Sequence, residues 1–240
     1  GYKIRDAIAN NNFNAENIQN YNINVASNSL VTWVESHDNF TSDTSTSGYS
    51  SWMNDWQLKM CWAVIAARSN ETPLFFSRPV GGGNGIMFTE ETHIGDKGSD
   101  LFKDKEVVAV NKFRNAMVGE SEYLKNYQGN NCLIIERGNK GVVIINLGQE
   151  KNIDTDTNLA EGVYTDQVSG SIFTSSNGKL SGNVKSGNIA VLYKNKLKDT
   201  AKVYFKKPRD WNNPKIYVYD NSSEGLKELA AWPGIQMTYE

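Results

Sequence analysis

The 240-residue chain carries 27 acidic against 25 basic side chains, a formal net charge of −2 at pH 7. That near balance argues against a nucleic-acid partner or a polybasic membrane surface, and no apolar run approaches the ~18 residues of a membrane helix. Its two cysteines, Cys61 and Cys132, form neither a disulfide framework nor a metal spacing. Each lies in an apolar pattern, so both are expected to be buried free thiols.

The length allows more than one domain. No signal-peptide pattern is present, and Gly1 already sits inside a helical pattern. The chain is therefore expected to be an internal piece of a longer protein. In residues 1–12, Ile4, Ala7 and Ile8 make a short apolar helical stripe that Asn10-Asn11-Asn12 stops. Residues 13–29 read as a polar, Asn-rich connection. A buried strand is expected over Leu30–Ser36, ending abruptly in Glu35, Ser36, His37 and Asp38. Such a strand end is how a parallel α/β barrel delivers reactive side chains to its open face.

A Ser/Thr/Asp-rich loop over 39–51 leads to a helix capped by Asn54 or Asp55 and running to about Arg68. Pro73–Ser77 is a short continuous apolar run, expected as a buried parallel strand. It ends in Arg78-Pro79 and the glycine loop 81–85. A further helix spans 104–117, with Val107, Val110 and Phe113 on one side. Helix, strand, helix, strand, helix is an α/β pattern.

After Gly119 the style changes. Short strands are expected at 131–136, 141–146, 162–166, 179–184 and 189–193, separated by Gly/Asn turns, as in an antiparallel β-sandwich. A charged linker over 194–200 precedes strands at 201–206 and 215–219, then Ala231-Trp232-Pro233-Gly234.

The His37-Asp38 pair at a strand end suits a triad, a metal site or a sugar-processing site, and equally a structural hydrogen-bonded pair. A nucleophilic triad lacks a G-x-S-x-G elbow and a placed cysteine. A metal site lacks ligand spacing, because His93 is the only other histidine and sits in a polar loop. Glu35 falls within the strand, where an ion pair or a hydrogen bond is expected of it. Arg78 and Asn84 are candidates to line the cleft. The loop 81–85 is not G-x-x-x-x-G-K-[ST], so it reads as a tight connection and not as a phosphate cradle.

Val31-Thr32-Trp33-Val34-Glu35-Ser36-His37-Asp38-Asn39-Phe40 resembles the fourth signature region of the glycoside hydrolase family 13 α-amylases, which follows the seventh barrel strand. Residues 63–69, 72–79, 81–85 and 94–98 are similar, in order, to the next helix, the eighth strand and the following loop of secreted saccharifying α-amylases of the Bacillus subtilis type. The likeness covers residues 1–195. It implies that Asp38 is the third catalytic carboxylate, which steadies an oxocarbenium-like transition state, and that His37 bonds sugar hydroxyls. The family's nucleophile and general acid belong to earlier strands, and their motifs do not occur here. The relatives' Tyr-Ala-Asn after the catalytic Asp is replaced by Phe40-Thr41-Ser42, so one substrate hydrogen bond has no matching residue.

Lys202–Pro208, Trp211, Ile216–Asp220 and Ala231–Met237 resemble family 26 starch-binding modules. Such modules stack sugars on exposed aromatics. Tyr204 and Trp211 are the residues expected to stack; Trp232 is expected in a core, and Tyr217 and Tyr219 in either role.

The fold class expected is multidomain. It comprises the C-terminal third of a (β/α)₈ TIM barrel (1–118), an antiparallel β-sandwich (119–195) and a partial β-sandwich carbohydrate-binding module (201–240). The implied parent is a secreted, monomeric, retaining α-amylase acting on starch and maltooligosaccharides. Its expected calcium would be held mostly by residues outside this chain, so no metal ligand is assigned. The alternatives are a transglycosylase of the same family and a non-catalytic starch-binding protein.

Overall fold

Asn54 opens the longest helix. Its side chain accepts from the Gln57 amide at 2.9 Å, while the Gln57 side chain accepts from the Asn54 amide at 2.9 Å. This reciprocal capping box sets the start of α4 (Asp55–Ala67), which buries Leu58 and every residue from Met60 to Ala67. A helix buried around its whole circumference is a core element, and α4 touches α1 (Tyr2–Ala9), β1 (Val31–Trp33) and α5 (Lys105–Ala116). The computed structural model describes residues 2–20, 25–45, 48–194, 205–206, 208–222, 225–228 and 230–237. The chain divides into two units, 1–195 and 196–240.

In the first unit, β1 pairs in parallel with β2 (Thr72–Leu74), in the register Val31↔Thr72 and Trp33↔Leu74. Helix α4 is the crossover between them. The strands are less buried than their composition suggests. Val31 is 49% exposed, Trp33 36% and Leu74 54%. The expectation of fully buried strands is therefore corrected. A sheet of two strands leaves one face uncovered by the described residues, and burial begins only at Val34 and Glu35. The connection read as irregular also holds structure. Asn14 caps a short helix, α2 (Ala15–Gln19), by accepting from Asn17, and a 3₁₀ turn follows at Ser27–Ser29.

Residues 122–193 form two four-stranded antiparallel sheets. One has the order β10 (Ile189–Tyr193), β5 (Gly141–Asn146), β4 (Cys132–Arg137), β3 (Glu122–Asn126). The other has the order β6 (Lys151–Asp156), β9 (Lys179–Val184), β8 (Ile172–Ser176), β7 (Gly162–Thr165). In the first sheet successive side chains serve two cores. Cys132, Ile134, Val142 and Ile144 face the second sheet with Phe173 and Leu180. Leu133, Ile135, Val143 and Ile145 join α4 and α5 in the other cluster. Side chains alternate across a strand, so a sheet covered on both faces reads as continuous apolar residues. Strands β3, β6 and β8, absent from the expectation, carry only one or two buried side chains each.

The helical segment and the sandwich share a core rather than a linker. Trp56 on α4 donates to the carbonyl of Gly187, between β9 and β10, at 2.7 Å. Arg68 forks onto Glu122 of β3, with contacts of 2.7–2.9 Å.

In the second unit, β11 (Lys215–Ile216) pairs antiparallel with β14 (Ile235–Gln236), and β12 (Tyr219–Ser222) with β13 (Gly225–Glu228). Gly234 lies against the strand, where a Cβ would come within 2.8 Å of the Tyr217 Cα. The strand expected at 201–206 falls largely outside the described residues, and Phe205 and Lys206 are not in a strand. The one expected at 215–219 is interrupted at Tyr217 and Val218.

Candidate functional site

Beyond β1 the chain passes through buried Val34 and Glu35 to Ser36, which caps a single helical turn, α3 (His37–Phe40). The Ser36 hydroxyl accepts from the Asn39 amide at 3.4 Å, and the Phe40 amide returns to the Ser36 carbonyl at 2.9 Å. His37 and Asp38 thus stand in the first turn beyond the strand. Their side chains are 78% and 82% exposed, with His37 Nε2 3.1 Å from Asp38 Oδ1. An imidazole and a carboxylate side by side, both open to solvent, are a donor and an acceptor available to a polar ligand.

The turn is anchored from below. Phe40 has no exposed surface. Its ring packs tilted on Phe76 at 5.8 Å and edge-on to Phe88 at 6.3 Å, with the Arg78 guanidinium 4.9 Å from its centre. The Asn39 carbonyl accepts from the Ser50 amide at 2.9 Å, and Trp33 Nε1 donates to the Asn39 side-chain oxygen at 3.2 Å. On the strand side, Arg5 of α1 donates to the Val34 carbonyl at 2.6 Å.

Arg78, expected to line the cleft, is instead buried (3% exposed). Its Nε and Nη2 fork onto the two Glu35 oxygens at 2.7 Å each. A charge taken out of water must be paired, and Glu35, two residues beyond the end of β1, supplies the partner, so the ion pair expected of Glu35 is present. Asn84, the other candidate, is exposed at φ +54. It lines a cleft with Asn54, Trp56, Pro79 and Ser99, and neither His37 nor Asp38 lines that cleft. His93 is exposed, 3.6 Å from Asp96. The participants that sequence reading missed are Phe40, Asn39 and Ser50. The first two directly follow the signature Asp, so contiguity was the available signal; Ser50 had none.

Both thiols are buried, as expected. Burial raises Cys61 well above the usual thiol value and pushes Cys132 up to about 11. No described group of three or more His, Cys, Asp or Glu is placed to hold a metal ion. No described helix is long and apolar enough to cross a membrane.

In the second unit, Trp211 is 51% exposed beside Phe205, with ring centres 5.6 Å apart. Tyr204 lies outside the described residues. Trp232, expected in a core, is 77% exposed, with its ring edge-on to Tyr217 at 5.3 Å. The described residues of this unit form two-stranded pairs alone, too little sheet to enclose an indole.

This arrangement, a parallel strand pair with helices joined to an antiparallel sandwich, is found in solved carbohydrate-active enzymes. The chain aligns with alpha-amylase I from Eisenia fetida at a TM-score of 0.60 and 15% identity, over 80% of this chain and 47% of that one. It aligns with the gamma-CGTase from alkalophilic Bacillus clarkii at 0.55 and 16%, over 79% and 30%. At such identities the fold alone is shared. Sequence is more specific. The chain is 41% identical over 168 residues to an alpha-amylase of Clostridium acetobutylicum, covering 70% of this chain and 20% of that protein. It is 38% identical over 247 aligned positions to an alpha-amylase of Butyrivibrio fibrisolvens, covering 95% of this chain and 25% of that protein. Residues 203–240 match the family described as starch-binding module 26. The chain is thus similar in sequence to two alpha-amylases, and it spans a fifth to a quarter of the length of these relatives.

Proposed function

We propose that the chain is part of a retaining α-amylase, of the Bacillus subtilis saccharifying type, that hydrolyses internal α-1,4 bonds of starch and maltooligosaccharides. On this reading residues 1–118 are the closing third of a (β/α)₈ barrel. The supporting observation is that Asp38 stands exposed, beside His37, in the turn directly beyond the C-terminal end of a parallel strand. That is where barrel enzymes carry their chemistry.

The roles follow from charge. Asp38 is the carboxylate that favours the oxocarbenium-like transition state, through its anion and through hydrogen bonds to sugar hydroxyls that strengthen as positive charge develops. His37 binds hydroxyls of the same sugar and limits its rotation. The nucleophile and general acid, like the calcium ligands, would lie on earlier segments of the parent. Trp211 and Tyr204 would stack sugar rings of granular starch. The parent is read as secreted and monomeric.

The test is Asp38→Asn in the full-length protein, read as kcat on a soluble maltooligosaccharide together with the anomeric form of the first product. The isostere keeps the shape and loses the anion, so turnover should fall by several orders of magnitude. Turnover within about tenfold of wild type, ~1.4 kcal/mol of barrel-site stabilisation or less, would remove Asp38 from this role. A binding protein without activity would show no hydrolysis even as wild type.

A further inference from the structure

Resting on that reading of Asp38, we infer that the buried Glu35–Arg78 pair is a positioning device for the catalytic turn. Glu35 lies three residues before Asp38, and the bonds of the pair reach Ser50 and Met53 in the segment that follows the turn. Arg78 Nε and Nη2 take both Glu35 oxygens at 2.7 Å. Arg78 Nη2 also donates to the Ser50 carbonyl at 2.9 Å, and Nη1 to the Met53 carbonyl at 2.6 Å. The Ser50 hydroxyl donates to Glu35 at 2.7 Å, and the Ser50 amide donates to the Asn39 carbonyl at 2.9 Å. Asn39 is the residue after Asp38. The route from the ion pair to the catalytic turn is therefore two hydrogen bonds through one serine.

The packing closes the same route from the other side. The guanidinium lies over the Phe40 ring, and Phe40 is the buried end of the turn. The glycine loop fits so closely that a Cβ on Gly82 would sit 2.8 Å from Phe40 Cζ, and one on Gly83 2.8 Å from Arg78 Nη1. Gly83 moreover has φ +129, a conformation that L side chains rarely adopt.

Stability alone does not account for the pair. Two charges withdrawn from water cost more than apolar residues of similar volume would, and a buried ion pair often yields no net stabilisation. What a bidentate Arg–carboxylate fork supplies is fixed geometry. Asp38 is highly exposed and sits on a turn of four residues. A short misplacement of a catalytic group can cost a large factor in rate. The turn's own packing cannot prevent that from above, so the constraint comes from beneath. Glu35 and Arg78 touch no substrate on this view; they act through Ser50, Asn39 and Phe40.

The experiment uses the full-length protein and compares Glu35→Gln, Arg78→Lys and Ser50→Ala with Asp38→Asn. For each, kcat and KM are measured on a short soluble maltooligosaccharide, and cooperative melting establishes folding. Glu35→Gln and Arg78→Lys are expected to lower kcat at least tenfold with KM within about threefold of wild type. Ser50→Ala, which leaves the ion pair in place, is expected to lower kcat three- to tenfold with an unchanged melting midpoint. A loss confined to stability, with wild-type kcat in the folded fraction, would overturn the inference. If the charge variants do not fold, Ser50→Ala decides: wild-type kcat overturns it, and a selective fall in kcat supports it. Should Asp38→Asn retain turnover, the reading of the site fails first and the positioning role falls with it. A dead Asp38→Asn beside fully active Ser50→Ala and Glu35→Gln would sink the positioning role alone.

Discussion

The guanidinium of Arg137, in β4, donates to the carbonyl of Ala67, the last residue of α4, at 3.0 Å. The same side chain reaches the Arg68 carbonyl at 2.8 Å and, beyond α5, the Met117 carbonyl at 2.8 Å. The last carbonyls of a helix have no partner within it. One sandwich residue thus caps two helices, and it is 1% exposed while doing so.

Arg137→Met should therefore lower the stability of the first unit by about 3 kcal/mol, because buried acceptors lose a charged donor and gain no water. Urea denaturation followed by circular dichroism would measure it. A loss below about 1 kcal/mol would mean that those carbonyls are hydrated or satisfied by Arg114, which also donates to the Arg68 carbonyl at 2.7 Å.

Stability should also weaken in acid through Glu122. Burial raises its carboxyl, but the Arg68 fork and the Ser69 amide outweigh this and leave it below the usual glutamate range. A carboxylate depressed in the folded state contributes stability that is complete above the unfolded pKa of about 4.3 and is lost as pH falls through the folded value. Glu122→Gln should flatten that part of the denaturation free energy against pH below about 4.5. An unaltered slope in that window would show that other carboxylates carry the acid sensitivity.

The two thiols should be silent in the native protein. Cys61 and Cys132 are both fully buried, and burial holds Cys132 as the thiol up to about 11. Only the thiolate reacts. With an aromatic disulfide reagent at pH 8, labelling should be slow in buffer and should reach two equivalents rapidly in denaturant. Fast labelling of either cysteine in buffer would indicate an opening of the core around α4 or β4.

Trp211→Ala, made in the complete protein, should reduce retention on starch granules while leaving hydrolysis of short soluble substrates unchanged. An indole half exposed beside Phe205 offers a flat apolar face for a sugar ring. Granule pull-down and a soluble-substrate assay on one preparation separate the outcomes. Unchanged retention would make Trp211 a packing residue, and a parallel fall in both would mean general destabilisation.

Much of the local structure is legible in the residue order. The start of α4 follows from Asn54 and Gln57, three positions apart, because a capping box is made entirely within one turn. The strands β4, β5 and β10 announce themselves as short runs rich in Val, Ile and Leu between Gly/Asn turns. By contrast β3, β6 and β8 show few apolar positions, since one side of each faces solvent, and β6 moreover pairs with β9, which is remote in sequence. The candidate pair His37-Asp38 was legible because its members are adjacent and need no fold to bring them together.

By itself, then, the sequence determined the start of α4, the periods, the change from α/β to all-β after Gly119, and the contiguous signature that holds His37 and Asp38. Tertiary structure alone decided that Arg78 turns inward onto Glu35, 43 residues away, instead of lining a cleft. It alone decided that one sheet is buried on both faces, and that Val31, Leu74 and Trp232 are exposed. The reason is physical. Caps and periodicity depend on residues within a turn or two of each other. Burial depends on every segment that comes to lie against a side chain, and an arginine reads the same in one dimension whether its guanidinium ends in water or against a buried carboxylate.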